Sequence, residues 1–246
     1  MEQRQRIRDY WNLRAEGFSL SNIDQLKTDQ KDIWLDLLQR YAPAQEKLKC
    51  LDVGCGPGFL AILLAQCGHQ VFAVDYTENM LEYAQKNAQA VNVRIRLQRM
   101  DAQKLLFEDE SFDYIVSRNL TWNLEYPEEA YREWLRVLKP GGRMVNFDGN
   151  HCLHHHHDLY REYRESGAYI DPHKKEFVKD VDLHIMDEIS KKLPLSRIER
   201  PAWDTAFFIG AGVKKIILDI ERAVFVAPSD QRKKSVIKSF CICVEK

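Results

Sequence analysis

The sequence predicts an α/β fold, a mostly parallel sheet with helices on both faces, and three observations predict it. From Leu48 onward short apolar runs alternate with stretches of helical spacing, the rhythm that βαβ units impose. The first of those runs passes straight into the glycine turn Gly54-Cys55-Gly56-Pro57-Gly58 and then into a helical stretch. The last two runs, VKKIILDI and VIKSFCICVE, have no clear helix between them, which predicts an antiparallel hairpin at the sheet edge. With 246 residues, 45% of them hydrophobic, the chain can bury one well-packed domain with an elaboration, or at most two small ones.

The elements follow in order. Residues 1–45 read as helices: Ile7, Tyr10, Trp11 and Leu13 fit one amphipathic stretch, and Ile33, Trp34, Leu37 and Leu38 fit another, closed by Pro43. The body, 46–246, begins with the strand KCLDV, the helix FLAILLAQ, the strand QVFAVD and a helix from Glu78 to Ala90. VRIRLQ and FDYIVS read as further strands, Glu128 to Leu138 as a helix and RMVNFD as a fifth strand. At about 151–200 the rhythm breaks into a His-, Lys- and Glu-rich stretch with helical spacing, read as a helical cap inserted into the body. No internal repeat or low-complexity linker interrupts the chain.

Composition removes several function classes. Lys plus Arg number 36 against 37 Asp plus Glu, a net charge of -1, so the electrostatic grip on a nucleic-acid backbone is missing and a small, roughly neutral partner is expected. The longest apolar run, Phe59 to Ala65, is seven residues, far below the roughly 20 that span a bilayer. The amino end MEQRQRIRDYWNLR lacks the apolar core of a secretory signal, so a cytoplasmic location is expected. Six cysteines without a CxxC pair read as reduced, packed thiols, with Cys241 and Cys243 on one face of a strand.

The chemistry concentrates at strand ends. Glycine at 54, 56 and 58 lets backbone approach a ligand closely. The match of Gly56 to Ala61 to a dinucleotide fingerprint is weak by itself, and Asp52, two residues before the first glycine, opposes it. Beside a pyrophosphate that carboxylate repels; beside an ammonium or sulfonium it attracts. A nicotinamide-dependent oxidoreductase is therefore the weaker alternative. Asp75 closes the next strand, where a ribose diol is expected, and Asp101 with Ala102 follows the third, facing an exocyclic amine of a purine in a slot lined by Tyr76 and Met80. Each aspartate alone is also explained as a helix N-cap; three at successive strand ends beside a glycine turn point to one crevice.

The segments LDVGCGPGF, VFAVD, MDAQKLLF, FDYIVSRNLTW and LRVLKPGGRMVNFD resemble the successive motifs of class I S-adenosylmethionine-dependent methyltransferases, from about Leu48 to Asp148. The resemblance implies a doubly wound, Rossmann-like seven-stranded sheet, S-adenosyl-L-methionine as cofactor and S-adenosyl-L-homocysteine as product. It implies contacts from Asp52, Gly54 and Gly56 to the methionyl part, from Asp75 to the ribose, and from Asp101 with Ala102 to the adenine, with Cys55 and Gly58 completing the turn. The chain looks most like small-molecule methyltransferases similar to those of ubiquinone and menaquinone biosynthesis, in which an amino-terminal aromatic segment folds over the cofactor. Here that segment is YWNLRAEGFS, with Tyr10, Arg14 and Phe18 as candidates. The stretch after Asp148 has no counterpart in that resemblance, so the acceptor is not carried over.

Transfer from a sulfonium expels a neutral thioether, so alignment matters more than a dedicated catalytic group. If the acceptor must lose a proton, the base is expected beyond the fourth or fifth strand; His151 is the first candidate and Asp148 the second. Arg118 is placed to reach the donor's carboxylate, and Asn119, Trp122 and Trp11 to wall the acceptor pocket. Each also has a structural reading, as ion pair, cap or core. The run His154-His155-His156-His157, near His151, His173 and His184, raises a metal or a non-catalytic sensor as an alternative. Consecutive helical residues point about 100° apart, leaving only the pairs His151 with His155 and His154 with Asp158, so no metal is predicted.

Overall fold

The computed structural model describes residues 2–169 and 175–246, and seven strands form its single sheet. They are β1 (Lys49–Val53), β2 (Gln70–Asp75), β3 (Arg96–Arg99), β4 (Phe112–Arg118), β5 (Leu138–Gly149), β6 (Lys215–Val226) and β7 (Lys233–Glu245), in the spatial order 3-2-1-4-5-7-6. β1 to β5 run parallel, and β7 lies antiparallel between β5 and β6. The chain reverses its direction of travel across the sheet between β1 and β4, which opens a crevice beyond their carboxyl ends.

Period-two alternation assigns each strand residue to one of two cores. Leu51, Val53, Phe112, Ile115, Ile242 and Val244 pack on one face with Tyr131 and Trp134 of α5 (Pro127–Val137) and Phe208 of α9 (Ala202–Gly210). Cys50, Tyr114, Val116, Cys241 and Cys243 pack on the other with Leu60 and Leu63 of α3 (Phe59–Gln66) and Leu38 and Tyr41 of α2 (Gln30–Tyr41). All six cysteines are free, and Cys241 and Cys243 do share a face. Among the described residues no helix is long and apolar enough to cross a membrane.

Three expectations are corrected. The third strand pairs only over Arg96–Arg99, not from Val93, because it is an edge strand with β2 as its one neighbour. In α1 (Glu2–Leu26) Leu13 is 61% exposed, while Arg14, Ser19 and Asn22 are buried. The inward face of this helix is polar because Arg14 and Ser19 hydrogen-bond Val178 and Asn87 while Asn22 lines the cleft, so apolar spacing misassigns its faces. Ile33 of α2 is likewise half exposed.

The insertion folds into short pieces, a 3₁₀ turn at Leu153–His155, α6 (Asp158–Glu165), α7 (Lys175–Val178), α8 (His184–Ser190) and a second 3₁₀ turn at Pro194–Ser196, whereas α4 (Glu78–Ala90) is the crossover from β2 to β3. One buried cluster staples its two ends. The Arg200 side chain is 0% exposed and donates from Nη1 to Asp148 Oδ2 at 2.8 Å, from Nε to Asp204 Oδ2 at 2.9 Å and from Nη2 to Thr121 Oγ1 at 2.7 Å. The Tyr131 hydroxyl donates to Asp204 Oδ1 at 2.6 Å, and Asn146 Nδ2 to that hydroxyl at 2.9 Å. Asn150 and Arg200 exchange two further bonds at 3.0 Å, one at the Arg200 N–H and one at its carbonyl.

Replacing Arg200 by leucine leaves two buried carboxylates without their cation. Equilibrium urea unfolding of R200L should show a loss of about 3–5 kcal/mol, the usual consequence of breaking a buried ion pair from one side. A loss below about 1 kcal/mol would contradict the assigned role.

Candidate functional site

A cleft lies at the carboxyl ends of β1 to β4 with α1 along its open side. Asp52, Gly54, Cys55, Gly56, Asp75, Tyr76, Met80, Asp101, Ala102, Arg118, Asn119, Trp11 and Phe18 all line it. The sequence placed every one of these around a ligand.

The glycine turn is held by its neighbours. Gly54 and Cys55 donate their N–H groups to the Val74 carbonyl at 2.8 and 3.0 Å. Gly54 has φ +67, and a Cβ there would lie 2.6 Å from the Leu120 side chain. At Gly56, φ +50, a Cβ would meet only Met80 Sδ at 3.9 Å, so here the missing side chain leaves bare backbone toward the cleft. Asp75 ties the turn to β2: Oδ2 accepts the Gly56 N–H and Oδ1 the Thr77 N–H, both at 2.9 Å. Asn87 Nδ2 donates to the Pro57 carbonyl and to Ser19 of α1, both at 3.0 Å, which joins turn and cover.

The electrostatics are strained. Asp52 is 2% exposed and accepts the Ala61 N–H of α3 at 3.0 Å. Burial pushes its pKa up to about 7, the Ala61 bond opposing and the Asp75 charge adding. Burial also raises Asp75 against the backbone N–H groups that favour its charged form. Arg118 is lowered to about 10 by burial, with Asp52 opposing; its guanidinium lies 4.3 Å from the Trp34 ring centre and donates to Gln25 Oε1 at 2.8 Å. An aliphatic ammonium or sulfonium between these acids relieves the strain that burial creates, whereas a diphosphate increases it. The residues present therefore fit a cationic sulfonium donor.

At the far end the sequence reading was incomplete. Asp101 Oδ2 receives Arg4 Nη1 at 2.6 Å while Arg4 Nε bonds Glu125 Oε2 at 3.1 Å, and Asp101 Oδ1 accepts the Gln103 N–H at 2.9 Å. A purine amine at Asp101 shares that carboxylate with Arg4. Arg4, Gln25, Asn22 and Glu125 also line the cleft and were missed. The available signal was the run of charged and amide residues on an amino-terminal helix with few apolar positions.

Six predicted residues lie elsewhere. Gly58, φ +89, starts α3 against Ala84. Tyr10 and Trp122 pack with Cys152, Met186 and Ile189 behind the cleft wall. Arg14 Nη1 donates to the carbonyls of Phe177 and Val178 at 3.0 Å, not to a ligand. Asp148 is fully buried in the ion pair with Arg200: burial alone would raise its pKa, but Arg200 and His151 hold it well below the carboxylate range. His151 does not line the cleft; its Nε2 lies 3.2 Å from Asp148 Oδ1 and its ring 5.5 Å from that of Trp122, whose Nε1 donates to the Asn119 carbonyl at 2.9 Å. The expected His151–His155 and His154–Asp158 pairings do not form. His155 Nε2 lies 3.7 Å from Asp187 Oδ1, and Asp158 pairs with Arg161 at 2.7 Å. His173 lies outside the described residues.

Comparison with known proteins agrees with this geometry. A family model described as a methyltransferase domain matches residues 51–146. An uncharacterized protein of Haemophilus influenzae is 31% identical over 207 residues, 80% of this chain and 79% of that protein. A demethylmenaquinone methyltransferase of Staphylococcus aureus is 32% identical over 141 residues, 56% of this chain and 57% of the relative; the chain thus spans little more than half the length of that relative. The same fold occurs in the SAM-dependent methyltransferase of Aquifex aeolicus, TM-score 0.55, 15% identity, over 92% of this chain and 97% of that one. It occurs also in the YcgJ protein of Bacillus subtilis, TM-score 0.57, 19% identity, over 87% and 99%.

The raised Asp52 carboxyl costs stability at high pH. Unfolded, it titrates near 3.9; folded, near 7, so the folded state binds more protons between those values and stability falls as pH rises through that window. D52N removes this dependence while keeping an acceptor for the Ala61 N–H. At pH 8, without ligand, it should be more stable than the parent by about 2–4 kcal/mol in urea unfolding; equal or lower stability refutes the strain.

Proposed function

The chain belongs to the class I S-adenosylmethionine-dependent methyltransferases, and on that premise we propose that it methylates a small-molecule acceptor by in-line displacement. The observation that carries this reading is the meeting of Asp52, Asp75 and Asp101 around one covered cleft beside a glycine turn. S-adenosylmethionine, when bound, supplies a methyl group on a positively charged sulfur whose leaving group is a neutral thioether. The protein's part is then to bind, orient and exclude water. Asp52 and Arg118 hold the ammonium and carboxylate ends of the methionyl moiety, Asp75 the ribose hydroxyls and Asp101 with Ala102 the base.

The cover by α1 supports a small acceptor: Trp11, Phe18, Asn22 and Gln25 line the cleft from that helix. The wall beyond the donor is aromatic and amide in character, which suits an apolar acceptor with neutral polar groups. The acceptor named by the Staphylococcus aureus relative, demethylmenaquinone, is the first compound to test.

Titration calorimetry should show S-adenosylmethionine and S-adenosylhomocysteine binding, and no binding of NAD. Because Asp52 must shed its proton to meet an ammonium, affinity should rise about tenfold from pH 6 to pH 8 and level off above. Binding of NAD in place of the sulfonium compound sinks the assignment.

With labelled donor and a panel of quinones, phenols and amines, one acceptor class should become labelled. Labelling of no compound in the panel refutes a small-molecule acceptor of these classes.

A further inference from the structure

The histidine run lies outside the cleft, and its geometry is not the one its sequence suggests. Residues Leu153–His155 form a 3₁₀ turn and His156 ends it, so no α-helix splays the rings around an axis. The His154 and His155 rings lie with centres 4.0 Å apart, tilted at 42° to each other. Asp187 of α8, 32 positions further along, comes up beside them. One ligand atom from each of His154, His155 and Asp187 lies within 4.8 Å of the other two. His155 Nε2 is a buried nitrogen with no hydrogen-bond partner, 3.7 Å from Asp187 Oδ1. That separation is too long for a hydrogen bond. It is close to the roughly 3.3 Å between ligands of a tetrahedral ion with metal–ligand bonds of about 2.0–2.1 Å.

We propose that His154, His155 and Asp187 bind a divalent transition metal of the zinc class, three protein ligands with a further position open to solvent. Two imidazoles and one carboxylate suit zinc, cobalt or nickel; calcium and magnesium require more oxygen ligands than this set offers. The expectation of no metal rested on α-helical spacing, which these residues do not adopt. The Arg164 guanidinium opposes the ion, since its Nη1 now bonds the His154 ring, and binding displaces it. The ion would join the turn after β5 to α8. That helix in turn contacts α1, where Gln3 Nε2 donates to the Ile189 carbonyl at 3.0 Å. Metal occupancy therefore clamps the insertion against the helix that covers the cleft.

The test uses full-length protein stripped with chelator and desalted, then titrated with Zn²⁺ and with Co²⁺ alone, the affinity read by chelator competition and the geometry by cobalt absorption. One equivalent should bind, with a tetrahedral cobalt spectrum and a higher thermal midpoint. H155A, and D187N as the shape-preserving alternative, should bind at least tenfold more weakly while retaining the parental circular dichroism. R164Q, relieved of the competing cation, should bind more tightly. Absence of stoichiometric binding, unchanged affinity in H155A and D187N, or equal or weaker binding in R164Q overturns the proposal; the last two place the ion on His156, His157 or His184 instead.

Discussion

The architecture beyond the fifth strand depends on one buried guanidinium. Arg200 lies between Asp148, where β5 ends, and Asp204, in the first turn of α9, and is fully enclosed. A charged cluster so placed is costly unless its members are hydrogen-bonded, and here Thr121, Tyr131 and Asn146 Nδ2 contribute bonds, while Asn146 Oδ1 is left without a partner. The consequence is geometric. Fifty residues of insertion leave the sheet and return to it at points joined by the same side chain, so the short helices between them are held over the carboxyl end of the sheet without a large core of their own.

The same logic, carried less far, shapes the cleft. Asp52 and Asp75 are buried close enough for each charge to disfavour the other, and the N–H groups of Ala61, Gly56 and Thr77 only partly offset that cost. A site that binds a cation tightly must be uncomfortable without one, and stability is given up for that readiness. The cover obeys a related constraint. Because α1 covers the ligand cleft, it turns Asn22, Gln25, Arg4 and Arg8 inward beside Trp11 and Phe18 and leaves Leu13 to solvent.

Residues whose roles follow from local backbone geometry were legible in the sequence. The glycine turn and the acids at the ends of β1, β2 and β3 were found because strand, turn and helix succeed one another within a few residues, and the parallel sheet brings successive strand ends to one side. Of the site residues expected from the body of the chain, all but Gly58, Trp122, Asp148 and His151 line it. Expectations failed where a contact joins distant segments. Arg14 was taken for a ligand contact and instead binds the end of α7; Asp148 was taken for a base and is locked by a residue 52 positions away. Asp204 stands in the otherwise apolar stretch AWDTAFFIG, the one local sign that a buried cation had to be near.

The sequence by itself determined the fold class, the succession of its βα units, the hairpin at its edge and the chemical character of the donor cleft. Each depends on periodicity, on glycine's access to positive φ or on a charge at a strand end, and all are written within short windows of chain. Tertiary structure alone decided what lies opposite those residues: Arg4 on Asp101, Arg200 on Asp148, Asp187 beside His155. Side chains far apart in sequence meet only after the sheet has set their distance and burial has raised the cost of leaving any charge alone, and no local pattern encodes that partner.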